Sequence, residues 1–127
     1  MNCFKCCNDY DEVKKSDELP FSLIGIVHKV FDCNNIMITY KVDENFTNFI
    51  HYYVKLSYVE PYPEKNKVAT KALSELILNK KVVIQVYKNM SYNNVEAKVF
   101  YNDICVNNWL IYNKFGRRND MEIPTKK

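Results

Sequence analysis

The sequence predicts a β-rich α+β fold in a single domain. Aromatic residues are abundant, with ten Tyr and seven Phe among 127 residues, and such side chains favour strands. Apolar runs of strand length alternate with polar turns, whereas two stretches show the three- and four-residue spacing of a helical face. The resulting order is three strands, a helix, two strands and a short C-terminal helix. It matches a five-stranded OB-type barrel with its helix between strands 3 and 4.

The first half of the domain contains three predicted strands. Residues 23–31, 36–40 and 49–58 are each rich in β-branched or aromatic side chains. A polar turn at residues 32–35 (DCNN) separates the first two strands, and residues 41–48 form a polar connection. Because the chain has only two Gly, its tight bends must rely on Asn and Asp, which tolerate turn conformations.

The second half begins with an amphipathic helix. Its apolar residues are spaced as a single helical face requires; they are Val68, Ala69, Ala72, Leu73, Leu76 and Ile77. Residues 82–87 and 95–101 are predicted strands, and Asn102-Asp103 is a two-residue hairpin turn. Residues 106–114 then predict a helix with Gly116 near its C-terminal cap.

The length of the chain predicts a single domain, and its charge is divided unevenly between the two halves. We expect one domain at residues 21–118, between a polar N-terminal tail at 1–20 and a polar C-terminal tail at 119–127. Six Lys against nine acidic residues give −3 over residues 1–60, and twelve Lys and Arg against six acidic residues give +6 over residues 61–127. A basic second half is compatible with phosphate contacts and also with simple solvated lysines.

The sequence predicts neither a membrane span nor secretion. It has no apolar run near eighteen residues and no apolar segment of a secretory signal. Three N-terminal cysteines, Cys3, Cys6 and Cys7, leave three interpretations open: free thiols, half of a zinc site, or S-acylation that tethers the domain to a membrane. An odd number of cysteines without a signal favours a reducing compartment. We therefore expect a protein that is not secreted.

The order of segments in the second half resembles a known family. A helix is followed by KKVVIQVYK, a polar loop, YNNVEAKVFYND and CVNNWLIYNKFGR. This succession is similar to the C-terminal half of the staphylococcal (thermonuclease) nuclease-like family, and the VN, L and KFG of residues 106–116 resemble its ending, especially in its giant-virus branch. The resemblance covers roughly residues 21–118. It implies an OB-type barrel and Ca²⁺-dependent phosphodiester hydrolysis, in which carboxylates hold the cation and two arginines hold the phosphate.

The metal-binding positions that the resemblance implies are only partly retained. The family's metal-binding turn corresponds to residues 32–35, where Asp32 is kept and Asn34 replaces an aspartate. An amide offers a neutral oxygen without a charge, so the cation loses its strongest ligand. Glu60 stands where the family has a further aspartate, and it keeps a carboxylate with one methylene more reach.

The implied catalytic positions are altered as well. Lys55 stands at the first arginine and lacks the bidentate fork that matches a phosphate. The general-base glutamate corresponds to Pro63, or to Glu64 if one residue is inserted, and the second arginine corresponds to Asn94. Because several such groups are changed together, an efficient nuclease is not expected.

Three hypotheses follow from these observations. The first is a catalytically degenerate nuclease-like module, cytoplasmic or in a virion, that binds nucleic acid or a viral structural protein and needs no cofactor. Its candidate nucleic-acid groove consists of Lys55, Tyr62, Lys67, Lys71, Tyr92, Arg117 and Arg118. The second is a weak Ca²⁺-dependent nuclease whose rearranged site consists of Asp32, Lys55, Glu60 and Glu64. The third is a membrane-tethered adaptor that is acylated at the three N-terminal cysteines.

Overall fold

Five strands close into a β-barrel accompanied by two helices, in agreement with the predicted β-rich, OB-like fold. The computed structural model describes residues 21–41 and 49–119, so Cys3, Cys6, Cys7 and nearly all of the C-terminal tail lie outside the described residues. Within these ranges the strands are β1 (Phe21–Asp32), β2 (Asn35–Lys41), β3 (Phe49–Leu56), β4 (Val59–Pro61), β5 (Lys81–Ser91), β6 (Asn94–Tyr101), β7 (Ile104–Cys105) and β8 (Gly116–Arg118). The helices are α1 (Asn66–Ile77) and α2 (Val106–Tyr112), and a 3-10 turn at Pro63–Lys65 precedes α1.

A parallel pair of strands closes the barrel. β1 pairs with β2 and β5, β2 pairs with β3, and β5 pairs with β6, all antiparallel. β6 then returns to β3 and runs parallel to it, so that residues 53–56 pair with residues 94–97. β7 continues the sheet beside β6, and β4 pairs with β8 in a separate two-stranded sheet. Ring closure of this kind pairs the sheet edges that would otherwise be exposed.

Alternate side chains of the barrel strands fill the interior. The fully buried strand positions include Val27, Ile36, Ile38, Leu56, Ile84, Val86, Ala97 and Val99. α1 adds Ala69, Leu73 and Ile77 to this core, at the four-residue spacing of one helical stripe, and α2 adds Val106 and Leu110. The core therefore lies inside the barrel and under the inner faces of the two helices.

The helical face predicted for α1 is correct except at Val68. This side chain is exposed, because it lies about a hundred degrees around the helix from the buried row that begins at Ala69. No helix in the described ranges is long and apolar enough to cross a membrane.

The structure corrects several predicted boundaries. The strand predicted at residues 82–87 extends to Ser91, and the helix predicted at 106–114 ends at Tyr112. The third strand ends at Leu56 and not at Tyr58, whose φ of 51° turns the chain into β4. Gly116 is not the helix cap: Lys114 takes the left-handed conformation after α2, with φ 64°, and Gly116 lies in β8 without a positive φ. A Cβ at Gly116 would lie 2.9 Å from a methyl carbon of Val59, so the glycine permits the close approach of β8 to β4.

The side chain of Asn107 joins α2 to the point where the barrel closes. Its Oδ1 accepts a hydrogen bond from the Val99 N–H at 2.9 Å, and its Nδ2 donates to the carbonyls of Ser57 and Ala97 at 3.0 and 3.2 Å. Asn107 is fully buried, and each of these backbone groups would lose a partner without it. A buried amide with all its bonds made specifies one position for the helix.

We predict that Asn107→Asp lowers the free energy of unfolding by about 3 kcal/mol or more, because both donations are lost and a carboxylate is buried. Urea denaturation followed by circular dichroism measures the change. Asn89→Asp on β5 is the matched control, since Asn89 is exposed and its substitution should change the unfolding free energy by less than about 0.5 kcal/mol. Equal effects of the two substitutions would contradict a structural role for the Asn107 amide.

Candidate functional site

Two β-bulges turn side chains of β1 onto the outer surface of the barrel. At two points of the ladder β1 has one residue more than β2, and the extra residues are His28 and Phe31. A bulge leaves one residue unpaired and re-aims its side chain. Both side chains are exposed, with Phe31 at 50% of its accessible surface.

The outer side chains of β3 meet these two residues. Successive side chains of a strand point to opposite faces. Tyr52 and Val54 point inward, so His51 and Tyr53 point outward. The Phe31 and Tyr53 rings are stacked with centroids 6.1 Å apart and planes 27° apart. The His28 and His51 rings lie 5.8 Å apart. Tyr53 keeps 47% of its surface exposed, so the stack leaves ring surface open to solvent.

The turn between β5 and β6 also contributes to this surface. The Tyr53 N–H donates to the carbonyl of Asn93 at 2.8 Å, which holds the turn against β3. Tyr92 lies at the tip of this turn and is 89% exposed. We call the surface formed by His28, Phe31, His51, Tyr53 and Tyr92 the aromatic face.

Two lysines adjoin the aromatic face. Lys29 is exposed. It pairs with Met37 on β2, and Met37 pairs in turn with Tyr53 on β3. Lys55 follows Tyr53 by two residues and so points to the same side of β3. Its cross-strand neighbour on β6 is the buried Glu96, which places a carboxylate near that charge.

The predicted metal-binding turn is satisfied by its own hydrogen bonds. The Asp32 carboxylate accepts from the Asn34 N–H at 3.3 Å and from Asn35 Nδ2 at 2.9 Å. Asn34 Nδ2 donates to the carbonyl of Val59 at 3.0 Å, which brings the turn to within one residue of Glu60. The structure therefore places Asp32, Asn34 and Glu60 in one region. Within the described ranges no three His, Cys, Asp or Glu side chains form a cluster that could hold a metal ion.

The other predicted catalytic positions have identifiable structural surroundings. Glu60 forms an ion pair with Arg117 at 2.9 Å across the β4–β8 sheet. Asn94 Nδ2 donates to Ser91 Oγ at 2.9 Å and to the Tyr92 carbonyl at 3.3 Å, so it stabilises the β5–β6 turn. Glu64 is exposed in the 3-10 turn.

The residues of the predicted nucleic-acid groove occupy three parts of the fold. Lys55 and Tyr92 adjoin Tyr53, as described above. Tyr62 lies after β4 with Lys65 Nζ 5.3 Å from its ring centre, and the guanidinium of Arg118 lies 4.5 Å from the centre of the Tyr58 ring. Lys67 and Lys71 lie on the exposed side of α1, where Lys71 is 3.7 Å from Glu75.

The aromatic face itself was missed by the sequence analysis, apart from Tyr92. In β3 both alternating sets of side chains are apolar or aromatic, so the FIHYYVKL pattern does not say which set faces the core. The two bulges of β1 depend on its pairing with β2 and leave no local signal. The one available signal was the number of aromatic residues, which exceeds what a small core needs.

Two ionisable groups, the Cys33 thiol and the Tyr58 hydroxyl, belong to buried residues. Burial raises the pKa of the Cys33 thiol from 9.0 to about 11, and the Asp32 carboxylate adds to this shift. Burial and then the neighbouring Cys105 raise the pKa of the Tyr58 hydroxyl above its ordinary range. This hydroxyl donates to Asn108 Oδ1 at 2.6 Å. Both groups are therefore neutral structural elements at physiological pH.

No protein-family model matches the chain, and no match was found among curated proteins. The resemblance to the nuclease-like family therefore depends on the residues of this chain alone.

We predict that the chain loses stability above pH 9 partly through Cys33. The unfolded thiol ionises near pH 9.0, whereas the folded thiol keeps its proton to about pH 11, so its contribution is complete below pH 9 and is lost as the pH rises towards 11. Between pH 9 and pH 11 the unfolding free energy of the unsubstituted chain should fall more than that of Cys33→Ala, and the difference should be on the order of 2 kcal/mol. Denaturation at several pH values measures the difference.

The exposed Ile24 on β1 provides the control for that experiment, because Ile24→Ala changes no ionisable group. Its unfolding free energy should fall with pH in parallel with that of the unsubstituted chain. Parallel curves for Cys33→Ala as well would show that the thiol does not contribute.

Proposed function

We propose that the chain is a non-catalytic OB-type module, related to the nuclease-like family, that binds single-stranded nucleic acid on its aromatic face. The observation that supports this most directly is the exposed stack of Phe31 on Tyr53 beside Tyr92. OB-folds bind oligonucleotides on the surface of their second and third strands and through the adjoining loops. The aromatic face includes outward residues of the third barrel strand and the turn between the fourth and fifth, which supports a comparable use here, and it extends onto the first strand.

The OB interpretation is supported by the order of the barrel strands. Counted along the chain, β1, β2, β3, β5 and β6 are the five barrel strands, and α1 lies between the third and the fourth of them. The parallel contact joins the third strand to the fifth. A closed barrel of five strands supports the OB interpretation, because OB-folds are five-stranded Greek-key barrels.

Exposed rings are suited to bases because every base has a flat apolar surface. Stacking of a base on an aromatic side chain contributes about 1–3 kcal/mol and does not depend strongly on base identity. Phe31, Tyr53 and Tyr92 each keep about half or more of their surface open to solvent. Three such rings on adjoining strand ends can hold a short run of unpaired bases, whereas the bases of a duplex are already stacked.

The lysines beside the aromatic face favour a weak electrostatic attraction to nucleic acid. The bonded state of the polar groups near Asp32 favours binding without hydrolysis. Lys29 and Lys55 can contact phosphates beside the aromatic face, and few such contacts give a shallow salt dependence. At the positions where hydrolysis would need a cation, the Asn34 amide is bonded to Val59 and the Glu60 carboxylate is paired with Arg117. These arrangements support a structural use of the former catalytic region.

We predict that Phe31→Ala and Tyr53→Ala each weaken binding of a fluorescent single-stranded oligonucleotide by about 1–3 kcal/mol, or roughly 5- to 150-fold. Anisotropy titrations of the full chain at two salt concentrations measure the affinity. Tyr112→Ala is the matched control, because Tyr112 on α2 is 83% exposed and lies outside the aromatic face. This control should bind as the unsubstituted chain does.

The same reactions, run on a gel with Ca²⁺ or with chelator, test the nuclease hypothesis. The proposal expects intact oligonucleotide under both conditions. Cleavage that requires Ca²⁺ and disappears in Glu60→Gln would favour the weak nuclease instead. Absence of binding at low salt would contradict the proposal and favour a protein-binding role for the aromatic face.

A further inference from the structure

The fold brings the two histidines of the chain together. The sequence contains two His, one on β1 and one on β3, and their ring centroids lie 5.8 Å apart on the outer surface of the barrel. Both side chains are exposed. His28 reaches this position because it is the extra residue of a β-bulge, and His51 reaches it because it precedes Tyr53 by two residues on the outward side of β3.

The separation of the rings agrees with two imidazoles that share one metal ion. A metal–nitrogen bond of about 2.0–2.1 Å places the centre of an imidazole ring about 3.2 Å from the ion. Two such rings have centroids roughly 5.2–5.6 Å apart when the nitrogen–metal–nitrogen angle lies between the tetrahedral and the trigonal value. The observed distance of 5.8 Å is slightly longer, and both side chains are exposed, so rotation about their side-chain bonds can turn one nitrogen of each ring towards a common ion.

Thr39 supplies the hydrogen bond that orients one of the rings. Its Oγ1 lies 3.3 Å from Nδ1 of His51, directly across the β2–β3 ladder. In the tautomer in which Nδ1–H donates to this hydroxyl, Nε2 carries the free lone pair that a metal needs. Metal-binding histidines commonly have their second nitrogen held in this way.

We propose that His28 and His51 form a two-imidazole site for a divalent transition-metal ion such as Ni²⁺, Cu²⁺ or Zn²⁺. Neutral imidazole nitrogens prefer these ions to Ca²⁺ or Mg²⁺, which bind oxygen. Two protein ligands leave the remaining positions of the ion to water, so the affinity is lower than at a closed four-ligand site. Both histidines belong to the aromatic face, but the proposal does not rest on nucleic-acid binding, and its test contains no nucleic acid.

The test uses the full chain, without an affinity tag, in which Cys3→Ser, Cys6→Ser and Cys7→Ser remove competing thiolates. Ni²⁺ is titrated while the imidazole signals are followed by ¹⁵N-edited NMR of histidine-labelled protein. Because the chain has two histidines, each signal is assigned by one substitution. We expect both signals to broaden together, with calorimetry giving one ion per chain.

Single substitutions separate a shared site from two independent imidazoles. His28→Gln and His51→Gln should each lower the Ni²⁺ affinity at least tenfold, and Thr39→Val should lower it a few-fold. Tyr112→Ala should leave it unchanged, and circular dichroism should confirm that every variant is folded. The proposal is overturned if either histidine variant keeps the full Ni²⁺ affinity, or if calorimetry of the unsubstituted chain gives two ions.

Discussion

The parallel pairing of β3 with β6 is the constraint on which the rest of the structure depends. It converts a five-stranded sheet into a closed barrel, and it sets the β5–β6 turn beside the outer surface of β3. The amide of Asn107 supports this junction by bonding to the backbone of β6 and to Ser57 just after β3. Because the same groups fix α2, the position of the helix and the closure of the barrel are one structural feature.

The candidate site arises from irregularities in an otherwise regular sheet. An unbroken β1 would alternate inward and outward side chains, whereas its two bulges add His28 and Phe31 to the surface that His51 and Tyr53 already occupy. Bulges interrupt the ladder of hydrogen bonds and re-aim the side chain of the extra residue. The pairing of each bulged residue with one β3 residue gives two neighbouring units, a ring stack and an imidazole pair.

The region that resembles a nuclease site has a different physical character from the aromatic face. Its polar groups are largely bonded to one another: Asp32 to the turn, Asn34 to Val59 and Glu60 to Arg117. Such mutual satisfaction stabilises loops but leaves little capacity to bind a hard cation, which needs several uncommitted oxygens. The aromatic face instead leaves apolar ring surface exposed to water.

The sequence by itself determined the five barrel strands and the two helices, but not the short strands β4, β7 and β8. The runs at 23–31, 36–40 and 49–58 correspond to β1, β2 and β3 with the third ending early, and the helical spacing at 68–77 lies within α1. It did not locate the site, because both alternating sets of β3 side chains are apolar or aromatic and because bulges depend on the partner strand. Gly116 was assigned to a helix end although its role is contact with Val59. Local propensity thus identified strands and helices. Only the tertiary register decided which side chains face outward and which distant residues meet, because that register depends on long-range pairing.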